Sequence, residues 1–339
     1  MMIRKIQSMK KNNTIREIAG KFESAESVLI FPHVLMDGDT LGSAAALCRA
    51  LRQKGKTAHI VIEDKVPEYL KFLDDGSCTF DRNIVKDPDI CVSVDCTDPD
   101  RFPLRKEKFF NGKTTLCIDH HKTSECFADL NHIDSSAAST AEIIYDIIHE
   151  MGASIDKLTS EALYAAIITD TGNFQYSNTR VKSHLITIEL YGLGLDHDYV
   201  SRMLYQNNRI EKLHISAKIL GTLKMMAGGK AVMAYVTQDM LKEAGALLED
   251  TEGTSEILRN ISGVEMGVFA KETAKGETKL SMRSEAWADV AEISMKYKGG
   301  GHKKAAGCTI KKPIFEAMKM IEDDIEKYFM ENDDNGRHN

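Results

Sequence analysis

The sequence predicts an α/β protein: a parallel-sheet N-terminal domain, a helical connector and a smaller α+β C-terminal domain. Three observations predict it. The first half alternates short apolar runs rich in β-branched residues with longer helical patterns. A stretch without strand signal follows at residues 181–226, and strands return from Ala231 onward. Alternating strand and helix signals are the rhythm of parallel α/β units, and strands joined by a short turn indicate a different, mixed domain.

In order along the chain, strands are expected at residues 27–32, 58–63, 90–94, 114–118 and 128–133, with helical stretches at 41–55, 67–73, 139–151 and 160–169. The helix at 41–55 sets Leu41, Ala44, Ala45, Cys48 and Leu51 on one face, the spacing of a helix that covers a sheet. The helices starting at Ser139 and Ser160 each open on a hydroxyl residue able to cap them. Residues 181–226 read as helix, polar stretch and helix, and the domain boundary is expected inside them. Later strands read at 231–236, 265–271 and 278–284, the last two joined by Thr273-Ala274-Lys275-Gly276. A closing helix at 313–330 begins with Pro313, where the missing N–H costs nothing, and a polar, loose tail at 331–339 ends the chain. The expected division is residues 14–185, a connector at 186–226, a second domain at 227–332 and a tail at 333–339.

A length of 339 residues suits two domains, and 42% hydrophobic with 28% charged residues is the composition of a globular protein. With 44 Lys and Arg against 51 Asp and Glu, the net charge of −7 excludes a protein that holds long duplex nucleic acid by neutralising many phosphates. The seven cysteines lie mostly in apolar runs and form no CxxC pair, so they read as reduced residues of a cytoplasmic protein. The N-terminal residues carry scattered charges, which argues against a signal peptide, and no apolar run is long enough to span a bilayer.

The candidate functional residues follow the apolar runs of the first domain in four places. His33-Val-Leu-Met-Asp37-Gly-Asp39 follows the first strand, Asp95 follows Cys91-Val-Ser-Val, Asp119-His120-His121 follows Leu116-Cys-Ile, and Asp170-Thr-Gly follows Ala165-Ala-Ile-Ile-Thr. Taken singly, His33 is an ordinary strand-end histidine, Asp-x-Asp a turn or helix cap, Asp95 a turn carboxylate, the paired histidines surface residues and Asp170 a helix cap. Together they place carboxylates and imidazoles at the edge of one sheet, where unpaired charge is costly without a metal. Oxygen and imidazole donors suit divalent manganese, and six or seven of them suffice for a pair of ions. Gly38 is expected to let the chain turn tightly, so that Asp37 and Asp39 face different ions.

The succession His33-x3-Asp37-x-Asp39-x2-Gly42-Ser43, Asp95, Asp119-His120-His121 and Thr169-Asp170-Thr171-Gly172 resembles the four ordered motifs of the DHH phosphoesterases. In the second domain, Ser281-Met-Arg283-Ser followed by Gly299-Gly300-Gly301-His302-Lys-Lys-Ala-Ala-Gly307 resembles the DHH-associated domain. The stretches Ser136-Ala-Ala-Ser-Thr140-Ala-Glu and Asp170-Thr-Gly-Asn-Phe-Gln-Tyr-Ser-Asn-Thr179 look most like the NrnA group, nanoRNases that also act as pAp phosphatases.

The resemblance implies two divalent ions, Mn2+ with Mg2+ as the substitute. One would be held by His33 and Asp37, the other by Asp39, His120 and Asp170, with Asp95 bridging both. It further implies that His121 reaches the phosphate and that Asp119 fixes the tautomer of a neighbouring histidine. Arg283, Gly299, Gly300, Gly301 and His302 would hold the substrate.

From Lys279 to Lys312 the chain has eight basic and three acidic residues. A charge run is usually a solvated face; here it coincides with Arg283 and a glycine run whose other reading is a simple turn between helix and strand, which points to an anion clamp. The expected substrates are short RNA oligonucleotides and pAp, with no membrane partner and a homodimer left open. Hydrolysis of pApA or cyclic dinucleotides is the alternative activity. From a different class, a nucleotide-binding regulator without catalysis is disfavoured by the intact ligand set.

Overall fold

The computed structural model describes residues 12–273 and 275–332. Two compact units meet at the Asn207–Asn208 bond. Turn residue Ala274, tail residues 333–339 and the first eleven residues lie outside the described residues.

The first unit contains, in order, α1 (Ile15–Ser24), β1 (Ser27–Pro32), α2 (Gly38–Gln53), β2 (Thr57–Val61), β3 (Cys78–Thr79), β4 (Ile90–Val94), α3 (Lys106–Phe110), β5 (Thr114–Asp119), β6 (Leu130–Ile133), α4 (Thr140–Glu150), α5 (Lys157–Asp170), α6 (Val181–Gly192) and α7 (His197–Ser201). Its six strands pair in the order β3-β2-β1-β4-β5-β6, and every pairing is parallel. Residues 68–73, expected as helix, form a short 3-10 segment.

Strand residues alternate between two cores, as a pleated sheet buried on both faces requires. Val28 and Ile30 of β1 join the larger core with the helices, whereas Leu29 and Phe31 face Phe102 and Phe109 on the other side. Strand order reverses between β1 and β4, so the crevice outside their carboxyl ends is the topological switch point where open α/β sheets bind ligands.

Helix α2 is buried along its whole length from Gly38 to Leu51. It crosses α5 so closely that a Cβ on Gly42 would lie 2.5 Å from the Ala162 carbonyl, and one on Gly38 would lie 2.4 Å from Thr169 Oγ1. Gly38 therefore serves close helix packing, not the tight turn expected of it: it is the first residue of α2, and Asp37 is the cap, accepting from Thr40 N at 2.9 Å.

The second unit contains α8 (Ile210–Leu220), β7 (Lys224–Met226), β8 (Ala231–Val236), α9 (Gln238–Ala244), α10 (Thr254–Arg259), β9 (Met266–Glu272), β10 (Thr278–Ser284), α11 (Val290–Lys296), β11 (Gly300–His302), β12 (Ala305–Ile310) and α12 (Ile314–Asn332). The sheet order is β11-β12-β10-β9-β8-β7, antiparallel except for the parallel β8–β9 pair. Met233 and Ala231 pack with α11 and α12 on one face, and Val232, Ala234 and Val236 pack with α8, α9 and α10 on the other.

Two sequence expectations change here. Residues 224–226 are an edge strand within the stretch expected to be strand-free, and the glycine run, read as a turn, is edge strand β11. At three residues each, Lys-Met-Met and Gly-Gly-His are too short to show a strand period.

Candidate metal centre

The carboxyl ends of β1, β4 and β5 and the ends of two helices deliver the polar residues to one place. His33 follows β1, Asp37 and Asp39 open α2, Asp95 follows β4, and Asp119 ends β5 with His120 and His121 behind it. Asp170, the last residue of α5, comes from a helix end and reaches the same place through the close α2–α5 crossing. Their ligand atoms form three overlapping groups, each within 4.8 Å: His33, Asp37 and Asp95; Asp39, His120 and Asp170; and Asp95, His120 and His121. Asp95 belongs to two of the groups and, at φ +56°, holds the left-handed backbone that a non-glycine residue adopts at a cost. Leu35, Asn173 and Phe174, in the loops around the site, are also left-handed.

The hydrogen bonds at this site leave ring nitrogens and carboxylate oxygens crowded together, as the ligands of a cation are. His33 Nδ1 lies 2.7 Å from the Val34 carbonyl; a carbonyl only accepts, so Nδ1 carries a proton and, in the neutral ring, Nε2 presents a lone pair. Thr40 Oγ1 lies 2.6 Å from that Nε2, 2.9 Å from Asp37 Oδ1 and 2.6 Å from Asp95 Oδ2. One hydroxyl proton cannot serve three acceptors.

His120 repeats the pattern. Its Nδ1 faces the Ala137 carbonyl at 3.3 Å, while its buried Nε2 has no hydrogen-bond partner and sits 3.6–3.7 Å from oxygens of Asp39, Asp95 and Asp170. Those separations exceed a hydrogen bond, yet they are within the span of one ion's ligand shell. Backbone carbonyls behind both rings fix the tautomer that a metal-binding imidazole needs.

Electrostatics agrees. Burial, then the charges of Asp95 and Asp170, push the Asp39 carboxyl well above its usual range. Burial followed by Asp95 and Asp37 does the same to Asp170. A divalent cation removes the repulsion and holds both carboxylates ionised, so the donor set fits such an ion.

Asp119 is different. Its Oδ1 accepts from His121 Nδ1 at 2.8 Å, from His120 N at 2.7 Å and from His121 N at 3.2 Å; burial opposes its charge, but the bonds and charge of His121 lower its pKa. Burial works against the His121 cation too, but Asp119 and Asp95 outweigh it and push the ring up to about 9.

Helix α4 supplies what sequence reasoning missed. Ser139, expected to cap this helix, makes no side-chain cap bond. Instead Asp39 caps it from α2, accepting from Thr140 N at 2.7 Å and Ala141 N at 3.1 Å. Helix α5, expected from Ser160, is capped at Asp156 through Thr159 N. The first turn of α4 is anchored by buried Glu142, which pairs with Arg180 at 2.6 Å and accepts from Ser183 at 2.5 Å. Thr140 and Thr40 carried no chemical role in the sequence; the signals near them were the Ser136-Ala-Ala-Ser-Thr140-Ala-Glu stretch and Asp37-Gly-Asp39.

The residues expected to hold substrate lie in the second unit. Arg283 of β10 and His302 of β11 both pair with Ala305 of β12, so their side chains share one sheet face across a small residue. The Arg283 guanidinium is oriented by Glu256 at 3.0 Å and by its contact with the Met282 carbonyl at 3.1 Å. Added Cβ atoms on Gly299 and Gly301 would strike β12 at 2.3 and 2.4 Å, whereas one on exposed Gly300 would meet nothing within 4 Å. Packing therefore explains Gly299 and Gly301 and does not account for Gly300.

This chain belongs to the DHH family: the family's N-terminal domain matches residues 27–167, and the DHHA1 domain matches residues 228–331. Within it, the chain is 31% identical over 300 residues to the bifunctional oligoribonuclease and PAP phosphatase NrnA of Thermus thermophilus, covering 88% of each chain. Among solved structures, an exopolyphosphatase-related protein from Bacteroides fragilis superimposes with a TM-score of 0.88 at 25% identity, over 93% of this chain and 96% of the other. RecJ of Thermus thermophilus in complex with Mn2+ shares the fold at a TM-score of 0.55 and 15% identity, over 93% of this chain and 55% of RecJ.

Proposed function

We propose that this chain is a metal-dependent phosphoesterase that hydrolyses short oligoribonucleotides to mononucleotides and removes the 3′-phosphate of pAp. The carrying observation is the convergence of His33, Asp37, Asp39, Asp95, His120 and Asp170 on one site, where the buried His120 Nε2 has no hydrogen-bond partner. Similarity over most of the chain to a relative named for both activities supports the choice of substrate.

In this reading His33 and Asp37 hold one Mn2+, Asp39, His120 and Asp170 hold the other, and Asp95 touches both; Mg2+ is the substitute. Such ions supply Lewis-acid polarisation of phosphoryl oxygens and lower the pKa of water. Asp119, bound to His121 Nδ1, sets Nε2 as the nitrogen that donates to a phosphate oxygen. In the second unit Arg283 and His302 bind the nucleotide's charged groups, and the backbone at Gly300 admits a phosphate. Seven free cysteines, and no helix among the described residues long and apolar enough to cross a membrane, suit an enzyme working on cytoplasmic RNA fragments.

The test is Mn2+-dependent release of mononucleotides from labelled RNA, from dinucleotides upward, and of phosphate from pAp, for wild type and Asp95→Ala. Both activities in wild type and neither in the variant are expected. Hydrolysis confined to pApA would move the protein to dinucleotide breakdown, and no hydrolysis at all would leave a binding protein.

A further inference from the structure

Asp95 is gripped from both sides by buried hydroxyls. Its Oδ1 accepts from Thr140 Oγ1 at 2.9 Å, and its Oδ2 lies 2.6 Å from Thr40 Oγ1; both threonines are 0% exposed. Thr140 also donates its N–H to Asp39 Oδ2 at 2.7 Å. A single residue at the start of α4 thus ties the carboxylate that follows β4 to the one that opens α2. Thr40 does the equivalent on the opposite oxygen, standing among Asp95, Asp37 and His33.

We infer that Thr140 and Thr40 are positioning residues that preset the metal centre by locking Asp95 and its spacing to Asp39 and Asp37. The inference rests on the metal-centre reading above. Crowded carboxylates repel one another and turn toward solvent unless donors hold them in place. Asp39 and Asp95, each 2% exposed, are the two that Thr140 grips, whereas Asp37 is exposed and the Asp170 side chain is 29% exposed. Helix α4 is a firm support for this grip, because Glu142 in its first turn is locked to Arg180 and Ser183 of the α6 start. Valine matches threonine in shape, so Thr140→Val removes the hydroxyl grip on Asp95 while the backbone bond to Asp39 stays.

The experiment is calorimetric titration of metal-stripped protein with Mn2+, together with turnover of pAp across a Mn2+ series, for wild type, Thr140→Val and Thr140→Ser. The Mn2+ dissociation constant of Thr140→Val should rise about 10–100-fold, the usual cost of removing a partner behind a metal ligand. Thr140→Ser, which keeps the hydroxyl, should stay close to wild type. Turnover of Thr140→Val should recover at saturating Mn2+, which a merely structural defect would not allow.

Wild-type Mn2+ affinity in Thr140→Val, or turnover depressed equally at every Mn2+ concentration, overturns the inference. Wild type that binds no Mn2+ overturns the metal-centre reading itself and this inference with it. If Thr140→Val does not fold, Thr40→Val tests the grip on the opposite oxygen with the same expectation.

Discussion

The two ends of the parallel sheet treat the same residue type in opposite ways. At the amino ends of the strands, Asp89 accepts from Glu26 N and Ser27 N, both at 3.0 Å, and from Lys113 Nζ at 2.7 Å. The bond from Lys113 comes first among the influences that lower its carboxyl to about 2, with burial opposing and the backbone donors adding to it. Asp129, nearby, is filled by Thr115 N and Thr115 Oγ1, each at 2.9 Å. At the carboxyl ends, Asp39 and Asp170 are pushed up by burial and then by the charge of Asp95. Folding alone accounts for the first end. The second gathers carboxylates and imidazoles that a cation would bring together, and such clustered, shifted groups mark a functional site more often than a structural one.

The largest expected break in that contrast is Asp95→Ala, which should lower hydrolysis of both substrates on the order of 10^3-fold, measured as initial rates in Mn2+. A loss under tenfold would mean that the carboxyl end is as structural as the amino end.

In the second unit Gly299→Ala should cost about 1–3 kcal/mol of stability in denaturant unfolding, because the new methyl meets the Gly307 carbonyl and Ser294 Oγ. Gly300→Ala, with open space around it, should stay within about 0.5 kcal/mol and show its effect in substrate binding. Equal stability costs would remove the case for Gly300 as a substrate contact.

Arg283→Gln should raise the KM for pAp about tenfold with kcat little changed, the mark of lost uniform binding. An unchanged KM would make the arginine only a partner for Glu256.

The smallest effect is the control at the amino end: Asp89→Asn should cost about 1 kcal/mol at neutral pH and leave Mn2+ affinity alone. Because the folded carboxyl titrates near 2 and the ordinary value is 3.8, the stabilisation is complete above about pH 4 and disappears as pH falls through about 2. Melting curves of wild type and Asp89→Asn should therefore converge at low pH.

The strands of the first unit were readable in the sequence because a parallel sheet covered on both faces needs unbroken apolar runs, as in Ile90–Val94. Two-residue β3, and the Gly- and Ala-rich hairpin of β11 and β12, lack any such run. Acidic and histidine residues after strands were visible for the same reason the strands were. The threonines were not, since a hydroxyl gains its meaning from a partner 45 or 55 positions away, as Thr140 and Thr40 do from Asp95. Helix caps misled in the same manner: Asp39 caps α4 from another helix, which local spacing cannot show. The pairing of Arg283 with Glu256, 27 residues apart, was equally out of sight.

The most direct test of the central claim is native mass spectrometry of metal-stripped protein after exposure to Mn2+, for wild type and Asp95→Asn, with pAp hydrolysis followed in the same samples. Two ions retained per wild-type chain, fewer in the variant, and hydrolysis that appears only with the ions is the predicted result; an ion-free wild-type chain that still hydrolyses pAp would contradict it.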